Sequence, residues 1–348
     1  MKISAVDLFC GVGGLTHGII KSGIQVIAGI DTDVTCKYAY EVNNGASFIN
    51  EDIRNIHKED IEQLYSRDSI KLLMGCAPCQ PFSKLSNKNR NRSLDEKWSL
   101  LYEFARIVDE VKPDLVSMEN VPEIVRQKVF KDFIKLLENI GYSVSWEIVY
   151  CPDYGIPQSR KRLVLLASKF GQINLKPPTI QKDNYTTVRV AIGDLEKIEA
   201  GECSKNDPMH KATKLNELNM KRIEKSIPGG TWKDWDEDLL APCHRKASGE
   251  SFSFPYSRME WDKPSPTITT QFYSYGTGRF GHPEQNRALS LREGAILQTF
   301  PPDYIFAEPG KDVYFTYIGK HIGNAVPVTL GTVIGQSIIY HIQNIRRV

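Results

Sequence analysis

Short apolar runs alternate with amphipathic segments of helical length through the first half of the chain, and this alternation restricts the fold more than any other feature. The runs fall at residues 3–9, 25–30, 46–49, 72–74, 114–118, 144–149 and 163–167. Helix-like stretches lie between several of them, at 14–21, 33–43, 98–111 and 129–140. Strands separated by helices of this length form βαβ units, because a parallel pair needs a crossover that packs back on the sheet. The expected fold is α/β, a doubly wound, mostly parallel sheet. After Lys169 the alternation stops, and Pro177-Pro178 marks a boundary. The next hundred residues are polar and punctuated by Gly and Pro. Ser290-Leu291-Arg292-Glu293 then opens a helix with a capping box, and 327–342 reads as a closing helix. With 348 residues, about two domains are expected. They are a larger α/β domain over 1–175, completed by 285–348, and a smaller irregular domain over 200–284.

Composition narrows the class. Lys plus Arg number 44 and Asp plus Glu 42, so the net charge of +2 is silent about a polyanionic partner. Only local clustering can speak to one. Met1-Lys2-Ile3-Ser4 runs directly into the first apolar stretch, without the regions of a signal peptide. No run of 18 apolar residues suggests a membrane span. Seven cysteines, an odd number, point to reduced thiols and a cytoplasmic location.

In doubly wound sheets ligands bind past the carboxyl ends of the strands. There this chain has Phe9 and the loop Cys10-Gly11-Val12-Gly13-Gly14, then Asp31, then Asp52. The fourth strand leads to Gly75-Cys76-Ala77-Pro78-Cys79-Gln80, and the fifth to Glu119-Asn120. The glycine loop is no dinucleotide fingerprint, because Thr16 stands where the last glycine of G-x-G-x-x-G would fall. It suits a nucleoside cofactor without a pyrophosphate. Asp31 would hold the ribose hydroxyls, Asp52 would accept from an adenine amino group, and Phe9 would lie against the ring. A tight strand-to-helix turn would explain the same glycines. Cys76-Ala77-Pro78-Cys79 admits a redox pair, buried structural cysteines or a nucleophile. A zinc site would need a second pair, which the sequence lacks. The place of Cys79, after a strand and a proline where backbone amides lower a thiol's pKa, favours the nucleophile.

Taken together, these residues resemble the DNA cytosine-5 methyltransferases of bacterial restriction-modification systems. Asp7-Leu8-Phe9-Cys10-Gly11-Val12-Gly13-Gly14 is similar to their cofactor motif, Pro78-Cys79-Gln80-Pro81-Phe82-Ser83 to the nucleophile motif and Glu119-Asn120-Val121 to the catalytic-glutamate motif. Gln158-Ser159-Arg160-Lys161-Arg162 resembles Q-x-R-x-R, and Gly323-Asn324-Ala325-Val326-Pro327 resembles G-N-x-V-P. The five occur in the family's order from residue 7 to 327. Two departures are small: Cys10 stands where alanine is common, and Asp31 where glutamate is.

The resemblance implies a Rossmann-like, S-adenosylmethionine-dependent methyltransferase fold with a target-recognition domain. S-adenosylmethionine would be the cofactor and S-adenosylhomocysteine its product. Double-stranded DNA is the expected partner of a monomer, with no membrane involved and a companion restriction endonuclease left open. It further implies Cys79 as covalent nucleophile, Glu119 as general acid, Arg160 on the cytosine O2 and Arg162 ordering that side of the pocket. Phe9, Gly11, Gly13, Gly14, Asp31, Thr32, Asp52, Ile53, Pro78, Asn324 and Val326 form the implied cofactor site. Residues 84–97 carry a local charge of +3 and begin where the family has a loop that closes on DNA. Ser83, Ser86, Lys88, Arg90 and Arg92 are the DNA contacts expected there, Ser86 as filler of the vacated base stack. Thr267, Thr269, Gln271 and Arg279 are those expected in the recognition domain, where at least half of the aromatics between Phe252 and Phe280 should be core. An RNA (tRNA) cytosine-5 methyltransferase of the same architecture is the alternative.

Overall fold

The computed structural model describes residues 2–78, 94–246, 249 and 251–345, with side chains of 94–98 excepted. In chain order the first part contains β1 (Lys2–Leu8), α1 (Gly14–Lys21), β2 (Gln25–Asp31), α2 (Lys37–Asn44), β3 (Ser47–Asn50), α3 (Lys58–Glu62), β4 (Ser69–Gly75), α4 (Leu94–Val111), β5 (Leu115–Asn120), α5 (Lys128–Asn139) and β6 (Ser143–Tyr150). There follow β7 (Gln158–Ser159), β8 (Lys161–Ser168), α6 (Val188–Ile192), α7 (Glu217–Lys225), β9 (Ser265–Pro266), α8 (Leu291–Leu297), α9 (Phe315–Asn324) and α10 (Val328–Ile345).

The contacts divide the chain into two compact units. The first comprises Met1–Tyr154, Lys161–Thr179 and Val326–Val348; the second comprises Gly155–Arg160 and Ile180–Ala325. The expected boundary differs at 285–325, which the sequence reading gave to the larger domain and the contacts give to the second unit. Buried polar bonds explain this. Ser290 Oγ meets His210 Nδ1 at 2.9 Å, Arg292 reaches Asp207, and Arg287 Nε donates to Ile198 O at 3.1 Å.

The first unit is built on a seven-stranded sheet in the order β3-β2-β1-β4-β5-β8-β6. Strands β3, β2, β1, β4 and β5 pair in parallel, while β8 is antiparallel to both of its neighbours. The central strands are buried along nearly their whole length, as a sheet covered on both faces requires. One face packs on α4 and α5, where Phe104 and Phe133 lie 5.6 Å apart between ring centroids among Val6, Leu73, Val116 and Leu165. Helix α10 seats on α1 at glycines: a Cβ on Gly18 would stand 2.2 Å from Val328 O. The stretch Phe315–Ile345 has the length and apolarity of a membrane span, but 61% of its most apolar window is buried within protein.

The second unit has little regular structure, so many of its backbone carbonyls lack a ladder partner and need another donor. Buried arginines supply it, each carrying five N–H groups. Arg258 donates to the carbonyls of Ile223, Ser226, His282 and Gln285. Arg222 Nε bonds Leu239 O at 2.8 Å. Arg287 pairs with the buried Glu293 at 2.7 and 2.8 Å, and the same carboxylate accepts from Ser290 N–H, completing the capping box of α8.

Candidate active site

In the first unit β1, β2, β4 and β5 are parallel neighbours, so their carboxyl ends share one edge. After β1 the chain turns through Phe9, Gly11 and Gly13, all at positive φ (61°, 50° and 88°). For Phe9 this conformation costs roughly 1 kcal/mol or more, and it persists because the ring packs on the core beside the sheet. A Cβ on Gly11 would meet nothing within 4 Å, so the loop is open above it. Asp31 clamps this turn. Its Oδ2 accepts from Gly11 N–H and its Oδ1 from Asp33 N–H, both at 2.9 Å. Asn50 Nδ2 donates to the carbonyls of Asp31 and Thr32 at 3.0 Å, setting the backbone on which both residues sit.

Beneath the loop, Thr16 Oγ1 donates to the buried Asp7 Oδ2 at 2.6 Å and lies 3.1 Å from Tyr40 Oη. The residue that breaks the dinucleotide fingerprint thus partners an acid at the end of β1. Burial pushes the Asp7 carboxyl up to about 7, with Asp31 adding to the rise. Cys10 fits because Gly29 has no side chain; a Cβ there would lie 2.6 Å from its sulfur. Burial pushes this thiol well up, so it remains protonated. Asp52 caps the turn Ile53–Asn55, and its carboxylate is held down to about 2 by hydrogen bonds from Arg54. Ile53 is buried beside it, and Pro78 is exposed at the limit of the described residues.

The acid expected at β5 lies between two neighbours. Glu119 is buried, 2% exposed; its Oε1 is 2.8 Å from Arg162 Nε, and its Oε2 accepts from Cys76 Sγ at 2.8 Å. Sheet register explains both contacts. Glu119 pairs with Val164 across the antiparallel β5–β8 ladder, which puts Arg162, two residues away, on the same face at the diagonal position. Gly75 pairs with Met118 in parallel, so Cys76 is level with Glu119. Asn120 Nδ2 donates to Ala77 O at 3.2 Å and ties the two strand exits together. Cys79, Ser83, Ser86, Lys88, Arg90 and Arg92 lie outside the described residues.

Arg160 belongs to the second unit and is 3% exposed. Its Nη1 donates to Gln158 Oε1 at 3.3 Å, Ile268 O at 3.1 Å and Gly323 O at 3.5 Å. Gln158 also donates to Gln298 Oε1 and accepts from Ile268 N–H. Gly323 is required here, since a Cβ would come within 2.5 Å of the Thr269 backbone. Segments far apart in sequence therefore meet around two side chains. Thr267 Oγ1 donates to Ser159 O, Thr269 and Gln271 are exposed, and Asn324 is exposed at the end of α9; Val326, in the first unit, is buried. Arg279 Nη1 donates to Gly229 O at 2.7 Å, and its guanidinium lies over Phe254. Phe272, Tyr275 and Phe280 are core, whereas Phe252 and Phe254 are exposed.

A family model for C-5 cytosine-specific DNA methylases matches residues 3–340. The chain belongs to that family. It is 54% identical to a type II methylase, M.HgiDII of Herpetosiphon aurantiacus, over 96% of this chain and 94% of that one. It is 32% identical to the type II methyltransferase M.DdeI of Desulfomicrobium norvegicum over 99% and 90%. In fold it resembles a prophage-encoded protein of E. coli assigned as a DNA modification methyltransferase, with TM-score 0.75, 21% identity and coverage of 99% and 100%. This methylase is therefore a cytosine-5 DNA methyltransferase, and the relatives named above carry type II restriction-modification names. Its seven-stranded mixed sheet agrees with the expected α/β class. Of the residues that hold the loop of the methylase from below and beside, Asn50 and Tyr40 carried no signal in the sequence, and Asp7 was legible only as the first residue of the cofactor motif. Their partners are 18 to 24 residues away or depend on burial.

Proposed function

We propose that this chain transfers a methyl group from S-adenosylmethionine to C5 of a cytosine flipped out of a short specific sequence in duplex DNA, through a covalent bond between Cys79 and C6. The observation that carries the reading is Glu119, a carboxyl buried at the edge of the sheet beside Arg162, on the strand next to the one that leads to Cys79. The chemistry asks for such a group. C5 of cytosine is a poor nucleophile. Addition of a thiolate at C6 makes C5 enamine-like, and a proton supplied at N3 by Glu119 takes up the charge. C5 then takes the methyl group, and when the C5 proton leaves to a base the C5–C6 double bond reforms, Cys79 is expelled as thiolate and the N3 proton returns to Glu119.

The cofactor supplies an electrophilic methyl on a sulfonium. The open loop over Gly11 fits the close approach of its amino-acid end, and among the described residues no side chain caps the first amides of α1, which favour a carboxylate. The same reading gives Asp31 and Thr32 to the ribose and Asp52 and Ile53 to the adenine, and assigns Phe9, Gly13, Gly14, Pro78, Asn324 and Val326 to the rest of the cofactor. We assign Arg162 to the cytosine O2 side, because it adjoins Glu119. Arg160, occupied by the carbonyls of Ile268 and Gly323, orders the loops of the second unit. Extrusion of the base costs a few kcal/mol, offset by contacts from residues 84–97 and from Thr267, Thr269, Gln271 and Arg279. The enzyme acts as a cytoplasmic monomer on DNA.

Duplex DNA carrying 5-fluorocytosine at the site located by bisulfite sequencing should trap the enzyme. Fluorine cannot leave C5 as a cation, so a denaturation-resistant complex should form with the mass of protein, DNA and one methyl group. Peptide mapping should place the link at Cys79, and Cys79→Ser should form none. Turnover of ordinary cytosine without trapping, or a link at Cys76, would sink the mechanism. Faster transfer to tRNA than to duplex DNA would reassign the substrate.

A further inference from the structure

We infer that Cys76 is a positioning residue for methyl transfer: its thiol, together with Arg162, holds the Glu119 carboxyl in the orientation from which it meets the cytosine ring. The inference rests on the reading of Glu119 as general acid. Strand β5 lies between β4 and β8, and the two contacts to Glu119 come from opposite sides. Arg162 on β8 approaches Oε1, and Cys76, one residue past the end of β4, approaches Oε2, each at 2.8 Å. A carboxyl held on one oxygen alone still swings about its last torsion, which is soft. Hydrogen-bonded by the thiol on one oxygen and drawn by the guanidinium charge 2.8 Å from the other, it has one preferred plane. Asn120 makes the β4 side firm, because its bond to Ala77 O joins the exits of the two strands one residue beyond the thiol.

The chemistry of a thiol suits this place. An acid that gives up its proton in the reaction must be supported both as carboxylic acid and as carboxylate. Arginine can only donate, so it serves the carboxylate. A thiol is both weak donor and weak acceptor. Cys76 donates to the carboxylate, and by rotating its hydrogen accepts from the O–H of the acid. A serine would do the same; an alanine would do neither.

The test is single-turnover methyl transfer to duplex DNA carrying the bisulfite-located site, with cofactor and DNA dissociation constants measured alongside. Cys76→Ala should lower the rate constant roughly tenfold, the scale of one lost hydrogen bond to a charged group, and leave both dissociation constants unchanged. Cys76→Ser should return to within about twofold of the native rate. In a Glu119→Gln background, Cys76→Ala should cause no further loss, since the group it positions is already gone. A native rate in Cys76→Ala overturns the inference. So does Cys76→Ser as slow as Cys76→Ala, or a loss that multiplies with that of Glu119→Gln. Glu119→Gln turning over at the native rate would instead overturn the reading of Glu119 itself.

Discussion

Asp7 shows how a single residue couples the cofactor loop to the core. It stands one residue before the end of β1, is fully buried, and Thr16 donates to it from the first turn of α1. Burial lifts its pKa from 3.8 to about 7. Between about pH 4 and pH 7 the unfolded chain has released this proton while the folded chain retains it. Stability from this site is therefore complete at low pH and falls as pH rises to about 7, above which the deficit is constant. Three units correspond to a few kcal/mol, on the order of 4. Asp7→Asn keeps an acceptor for Thr16 and has no proton to lose. Its melting temperature relative to the native protein should climb between pH 4 and pH 7 and then level off. A difference that does not vary with pH would place the Asp7 proton elsewhere. Legibility at this scale was uneven. Glu119 and Asp31 declared themselves by standing just past apolar runs, whereas Cys76 was readable only as half of C-x-x-C. Its contact with Glu119 depends on which strand lies beside β5.

Among the elements, α1 and α10 carry the sharpest constraint. Gly18 faces Val328 and Gly331 at backbone distance. In an exposed helix interior, replacing glycine by alanine gains up to about 1 kcal/mol. Here the added methyl would stand 2.2 Å from a carbonyl oxygen that no rotamer can move. Gly18→Ala should therefore destabilise by about 2–3 kcal/mol, the upper range for overpacking, read as a lower denaturation midpoint in urea with unchanged slope. A gain in stability would mean that α10 is not seated there. The strands and helices of the first half were readable by period, because a covered parallel strand must be apolar throughout and its crossover helices amphipathic. The antiparallel insertion of β8 between β5 and β6 was not, since β8 has the same apolar run as its parallel neighbours. In the second unit no period exists to read. Its order comes from arginines bonded to carbonyls up to 89 residues away.

At the scale of the whole molecule, net charge is nearly balanced, so attraction to a polyanion has to be local. Residues 84–97 are the one stretch where the sequence concentrates positive charge close to Cys79. Replacing Lys88, Arg90 and Arg92 with Ala should weaken binding to cognate and unrelated duplexes alike. The slope of log affinity against log salt should fall by up to about 0.9 for each lost phosphate contact. An unchanged slope would make the stretch ordinary solvated surface. The sequence alone determined the α/β class, the strand ends that bear the chemistry and the family. Each of these follows from local periodicity or from motifs read within a few residues. Tertiary structure decided which of those ends become neighbours. Strand order set Arg162 and Cys76 on either side of Glu119, while buried hydrogen bonds joined Arg160 to the carbonyls of Ile268 and Gly323 and tied 285–325 into the second unit. Local apolar pattern carries no record of strand order, because every buried strand presents the same surface to any partner; only the packing of the whole sheet distinguishes them.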